Sequence, residues 1–204
     1  MTSDFGNFNL IETLSAGKLE SDAMPSPGGI RRNLKLKGLN QLQLKKLNEI
    51  LPAIPAAGES WHVVSDGTFD FWKFVPHLVG LIDSADEFYG STWTIARPNV
   101  IELLELFDSG RVRKISMLTG LYFKRRETAV YATLLSGLLQ RGQRYRAFKN
   151  HAKIILLAGS GQSLVVEGSA KFTANPRLEQ FVITNDRPLY DFHRSWMEGM
   201  FDGE

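Results

Sequence analysis

His151-Ala152-Lys153-Ile154-Ile155-Leu156-Leu157, followed by Val165-Val166-Glu167-Gly168-Ser169-Ala170, is the stretch whose reading decides the fold of this 204-residue chain. Each piece holds a short aliphatic run bounded by turn residues, which predicts a strand in each case. Gly159-Ser160-Gly161 suits the turn between them. Residues two apart on a strand share a face, so His151 and Lys153 project together. An imidazole beside an ammonium is a poor way to stabilise a sheet, because both groups prefer water or an anion. The pair is well suited to attack on a phosphodiester: a ring nitrogen is the nucleophile, and the cation offsets charge on the phosphoryl oxygens. Gly168-Ser169, at the end of the second run, brings a hydroxyl and a bare backbone towards the same phosphate.

Upstream, strand and helix alternate. Trp61-His62-Val63-Val64 reads as a strand closed by Ser65-Asp66-Gly67, and Phe69 to Ile82 as a helix bent or broken at Pro76. Glu87 to Ile95 and Val112 to Leu118 are further strands, with helices at Pro98 to Phe107 and Glu127 to Leu139. From Arg144 the rhythm changes. Arg144 to Phe148, His151 to Leu157 and Leu164 to Glu167 are extended segments with little room between them. A strand at Phe181 to Thr184 and a helix from Leu189 to Phe201 close the chain. This order predicts an α/β sandwich around a mixed sheet. Leu39, Leu42, Leu47, Ile50 and Leu51 recur at helical spacing before Pro52, so an amphipathic helix leads into the domain. Residues 1–35 are expected to form a loose arm, rich in Ser, Gly, Asn and Pro, and 36–204 a single domain.

Composition narrows the class. Twenty-four basic and 22 acidic side chains leave a formal charge of +2, so any basic surface must be local. The absence of cysteine removes disulfides and thiolate metal sites, and suits the cytoplasm, the expected location. No apolar run approaches the length needed to span a bilayer, and Met1 is not followed by a basic start and apolar segment, so no secretory signal is expected. No histidine or carboxylate cluster has metal-ligand spacing, and neither metal nor cofactor is expected.

The H-x-K pair, followed by a strand, G-S and a further strand, resembles the motif of the phospholipase D superfamily, over about Asn150 to Gln180. The resemblance implies a phospholipase D-like α/β/α sandwich with a mixed, mainly parallel sheet. Short members of that family carry one motif per chain and pair as homodimers, their motifs meeting across a two-fold axis. One motif and no internal repeat match that group, which includes nucleases. By this resemblance His151 forms a phosphohistidine while the second copy's His151 protonates the leaving oxygen. Lys153 binds the phosphate, Ser169 donates to it, and Glu179 orients the histidine. Two positions depart from the motif. Ala158 stands where the longer form has Asp, and some family nucleases do without that Asp. Lys171 stands where G-S-x-N has Asn. A lysine brings charge and a longer stem. It binds phosphate, crowds the pocket or lowers the histidine's pKa, with Asn175 nearby as a substitute.

A second feature points to a polyanionic substrate. Arg141, Arg144, Arg146, Lys149 and Lys153 occur together with no acidic residue among them, and Lys124-Arg125-Arg126 and Arg111, Arg113 and Lys114 add local charge. Arg144 and Arg146 are expected to share a strand face pointing towards the catalytic strand. Tyr145 and Phe148 are candidates for stacking on bases. The plain reading of His151 and Lys153, solvated charges on a sheet edge, is outweighed by Gly168-Ser169 and the strand order. His62, His77 and His193 are read as structural, and Phe69, Phe71, Trp72 and Phe74 as core or dimer surface. The expectation is a metal-independent phosphodiesterase, a DNA endonuclease in particular, working as a homodimer away from membranes. A nucleic-acid-binding protein of the same fold, its catalysis weakened through Lys171, is the alternative. A lipid phosphodiesterase ranks lower, since no basic amphipathic docking helix is evident.

Overall fold

A computed structural model describes residues 34–174 and 177–202, with side chains from residue 41 onward. Nearly all of the arm expected at 1–35 lies outside the described residues. Helix α1 (Leu34–Ile50) stops ahead of Pro52, and Leu47 and Leu51 anchor its end in the core. There follow β1 (Ser60–Ser65), a 3-10 turn (Phe71–Lys73), α2 (Phe74–Leu81), β2 (Glu87–Thr92) and α3 (Arg97–Asp108). Next come β3 (Ile115–Gly120), α4 (Leu121–Arg126), α5 (Thr128–Gln140) and β4 (Arg144–Phe148). The chain ends with β5 (Ile154–Gly159), β6 (Gln162–Gly168), β7 (Glu179–Asn185) and α6 (Arg187–Asp202). Pro76 does not bend a helix, as the sequence suggested. It is the third residue of α2, where its missing N–H has no intrahelical acceptor to lose.

The seven strands form one sheet in the order β1-β7-β6-β5-β2-β3-β4. The sheet is mixed, as expected, but it is not mainly parallel. Four of its six pairings are antiparallel, and only β2–β3 and β3–β4 are parallel. Helical crossovers join β2 to β3 and β3 to β4, which makes those pairs parallel. By contrast β5 and β6 are joined by Ser160-Gly161 alone, both with positive φ (50° and 76°). That is the backbone of a tight antiparallel hairpin, and glycine meets the second angle without strain. Strand β7 continues the meander, and β1 closes the far edge against β7.

Alternation along β5 and β6 divides the core into two layers. Ile155, Leu157, Leu164 and Val166 face one cluster with side chains of α2, α3 and α5. Ile154, Leu156 and Val165 face Tyr190 and Met197 of α6. Both faces of these central strands are covered, so their sequence is almost continuously apolar and the layering is α/β/α. Phe69, Phe71, Trp72 and Phe74 are core residues. The ring of Phe71 stacks on Phe181 at 5.3 Å and 17°, and Phe172 meets Phe71 at 5.3 Å and Trp72 at 5.6 Å. No helix among the described residues is long and apolar enough to cross a membrane.

Phe172 is wholly buried, yet it follows directly after Lys171. Its backbone is hooked at three points: its N–H donates to Thr92 Oγ1 (3.2 Å), and its carbonyl accepts from Asn99 Nδ2 (3.0 Å) and Ala96 N–H (2.9 Å). Truncating a buried aromatic ring leaves a cavity costing about 3–5 kcal/mol. Phe172→Ala should therefore lower the free energy of urea unfolding by about that amount, while Phe192→Ala on the exposed side of α6 should change it by less than about 0.5 kcal/mol.

Candidate active site

The site lies where the ladder between β2 and β5 ends. The last register pair is Ser91 with Ile154, so His151, Ala152 and Lys153 precede β5 rather than opening it, a correction to the sequence reading. Asn150 explains the early stop. Its amide nitrogen donates to Ser91 Oγ (2.9 Å) and more weakly to Thr92 O (3.4 Å), while its Oδ1 accepts the Ala152 N–H at 3.0 Å. A side chain thus takes the place of the ladder on the β2 side. On the β6 side, Gly168 N–H still reaches Lys153 O at 3.2 Å. The segment is pinned on both sides without being a strand.

His151 and Lys153 nonetheless come together. Lys153 Nζ lies 3.0 Å from His151 Nδ1 and donates to His151 O at 2.7 Å. His151 is exposed and Lys153 half-buried. Burial pushes the Lys153 ammonium below its ordinary pKa, and the positive charge of Lys171 adds to this, while Glu179 acts in the opposite direction. Ser169, exposed at the end of β6, donates its hydroxyl to Glu179 in a short hydrogen bond and accepts Gln180 N–H at 3.2 Å. The contact at His151 Nδ1 is therefore the Lys153 ammonium, and Glu179 meets Ser169. Lys171, from the loop anchored by Phe172, holds its ammonium 4.8 Å from the centroid of the Trp93 ring. Asn175 lies outside the described residues.

The basic patch expected on β4 does not form. Strands β2 and β3 separate β4 from β5, so Arg144 and Arg146 do not point at the His151–Lys153 segment. Arg144 sits at the start of β4 and is consumed by α6: Glu198 accepts from both of its terminal nitrogens (2.6 and 2.8 Å), and Ser116 Oγ accepts at 2.8 Å. Arg146 donates to the Met200 carbonyl in a short bond, and Arg141 forks onto Asp108 at 2.6 and 2.7 Å. Glu198, Met200 and Asp108 each come from a distant stretch of chain, invisible in the local charge pattern. Tyr145 is no stacking surface either. Its hydroxyl bonds Thr119 Oγ1 at 2.5 Å, its ring packs on Tyr131, and burial pushes its pKa far above the usual phenol range. Phe148 packs under α6 in the smaller core cluster. Lys149 stays exposed, two residues from His151.

Two aromatic residues beside the histidine carry no signal in the sequence motif. Trp93, just past the end of β2, has its ring centroid 5.5 Å from that of His151 and 4.6 Å from that of Tyr122. Their position directly after parallel strands β2 and β3 is the clue that could have found them, since sites in such sheets gather at the carboxyl ends of strands. Of the remaining histidines, His77 bonds Leu51 O at 2.7 Å, and His193 is buried against Glu167 (3.4 Å) and Trp196 (3.0 Å). His62 is not packed but exposed on β1. A cavity of about 480 Å³ lies at the opposite end of the parallel strands, lined by Glu87, Tyr89, Arg144, Arg194 and Glu198 among others. Its arginines are paired with Glu87 and Glu198.

The sequence matches no family model and no curated protein. Solved structures do resemble it. A phospholipase D family member, Nuc, from Salmonella typhimurium superposes with a TM-score of 0.50 at 17% identity, covering 69% of this chain and 93% of that one. Polyphosphate kinase from Porphyromonas gingivalis gives a TM-score of 0.52 at 15% identity, covering 72% of this chain and 26% of the kinase. At such identities the likeness is one of fold. A central mixed sheet between helical layers, with a histidine–lysine pair and a glycine–serine turn at its strand ends, agrees with it: the chain has the fold of the phospholipase D superfamily.

Proposed function

We propose that the chain is a metal-independent phosphodiesterase acting on nucleic acid, DNA in particular, through a phosphohistidine on His151. The observation that carries this reading is the approach of Lys153 Nζ to His151 Nδ1 at 3.0 Å, on an exposed face shared with Lys171 and Ser169. A protonated Lys153 can only donate, so Nδ1 accepts and a neutral imidazole carries its proton on Nε2. An arriving phosphodiester draws the ammonium onto its non-bridging oxygens and releases Nδ1. The ring proton then moves to Nδ1, and the Nε2 lone pair attacks phosphorus. The bond from phosphorus to the leaving oxygen breaks, and that oxygen takes a proton from the imidazolium form of His151 in a second copy of the chain. Water next attacks phosphorus, gives its proton to the second imidazole and breaks the P–N bond, restoring both rings. Lys153 and Lys171 offset charge on the phosphoryl oxygens, and Ser169, once released from Glu179, donates to one of them. The exposure of His151 suits a half-site completed by a homodimer partner.

Lys171 supports a second reading, in which nucleic acid is bound but cut slowly. Its charge favours loss of the proton from Lys153, and an uncharged Lys153 is a weaker phosphate ligand.

Labelled single- and double-stranded DNA, incubated in excess EDTA, separates the two readings. The native chain should cut, and His151→Ala should lose at least about 100-fold in rate. Cleavage only by Lys171→Asn favours the binding reading, and cleavage by no variant on any DNA sinks the phosphohistidine proposal. Lys171→Asn should also raise the Lys153 pKa, keeping that ammonium charged to higher pH, as read from the Lys153 side-chain resonances in an NMR titration. An unchanged or lower pKa would refute the electrostatic role given to Lys171.

A further inference from the structure

Trp93 and Tyr122 have no place in the phosphoryl chemistry, yet they stand beside it. Their rings lie 4.6 Å apart at 33°, and Trp93 lies 5.5 Å from the His151 ring. Cations flank both: Lys171 Nζ is 4.8 Å from the Trp93 centroid, and the Arg126 guanidinium is 5.8 Å from that of Tyr122. Trp93 is held in place by a close approach. A Cβ on Gly120 would fall 2.4 Å from the indole Cδ1, so only glycine lets the ring lie there. Tyr122 is 43% exposed and adds little to the core. An exposed ring, packed at a tilt against a fixed indole and rimmed by positive charge, is costly to leave bare and suited to a flat, anion-bearing ligand.

We propose that Trp93 and Tyr122 form a stacking platform for an unpaired base next to the phosphate held at His151 and Lys153, which makes single-stranded nucleic acid the substrate. In a duplex both faces of each base are taken by its neighbours, so only an unstacked base has a face to offer. A lipid phosphodiester has no flat ring to place there. Arg126, which rests over Tyr122, turns to a flanking phosphate, and Lys171, which rests over Trp93, turns to the phosphate held at His151 and Lys153, so the arriving strand uncovers the rings its base needs. The inference rests on the reading of His151 as a phosphodiester site.

The test compares an oligothymidylate of about 12 nucleotides with an abasic strand of the same length, which keeps the phosphates and lacks the bases. Binding is measured by fluorescence anisotropy on the full chain carrying His151→Gln, so that the strand is not consumed. The base-bearing strand should bind more tightly than the abasic one by about 5- to 100-fold. Tyr122→Ala should abolish that preference, and Tyr122→Phe, which keeps the ring, should retain it. Equal binding of the two strands, a preference that survives Tyr122→Ala, or no strand binding at all overturns the platform. The two proposals fail separately. Cleavage by the native chain without base preference leaves the phosphohistidine reading standing alone, and base-dependent binding without cleavage leaves the platform alone.

Discussion

The backbone of Phe172 is where core and site become one structure. Its ring closes the aromatic cluster of Phe71, Trp72 and Phe181, while its N–H and carbonyl are tied to Thr92, Ala96 and Asn99. Those partners lie at the end of β2 and the start of α3. The segment carrying Ser169 and Lys171 is therefore fixed to the same strand end that Asn150 grips from the other side. Neither clamp is strong alone, since a typical hydrogen bond nets about 0.5–1.5 kcal/mol. Their effect comes from burial: with the ring in place, the backbone groups have few other partners to choose. The chemistry sits on loops, but on loops whose roots are in the core.

Much of this was legible in the sequence, and the boundary of what was not is physical. The aliphatic runs of β5 and β6 are apolar because helices cover both faces, and the two-residue turn between them demands positive φ, so both left direct traces. The His151–Lys153 pair was legible because two polar groups ahead of an apolar strand have no packing reason to be there. What did not show were choices made by distant residues. Local alternation cannot tell that β1 pairs with β7, more than 110 residues away, rather than joining a parallel set. Nor does the run of arginines in β4 reveal that Glu198, on a helix 54 residues later, takes Arg144. The early end of the ladder came from one amide side chain, Asn150, which carries no periodic signal.

Arg144 and Lys153 show how partners, more than charge, decide what a cation can do. Arg144 holds the Glu198 carboxyl near a pKa of about 2, against an ordinary value of 4.5. A depressed carboxylate contributes stability that is complete above its unfolded pKa and is lost as pH falls from about 4.5 towards about 2. Both groups are partly exposed, so the effect is screened and modest. Such a pair braces α6 against β4 and is closed to substrate. Lys153 has the opposite balance. Its hydrogen bonds go to the neighbouring imidazole and a carbonyl, and burial together with Lys171 outweighs the pull of Glu179, so its proton is easier to lose. A cation in that state gains by meeting an anion, whereas one already neutralised does not.

In the proposed mechanism the geometry at His151 lets a single copy supply only one of the two imidazole roles. With Lys153 donating to Nδ1, a neutral imidazole holds its proton on Nε2 and has no lone pair there. With Lys153 drawn away, the proton can move to Nδ1 and Nε2 is a nucleophile, whereas the acid is a ring protonated on both nitrogens. One ring cannot be both in the same step. Displacement at phosphorus in line with a departing oxygen needs the two forms on opposite sides of the phosphate, and His77 and His193 are buried in contacts of their own. The fourth histidine, His62, stands on β1, at the sheet edge beyond β7, β6 and β5. A second copy of the same site, its ring protonated on both nitrogens and its Lys153 turned away from Nδ1, would supply the acid without any difference in sequence.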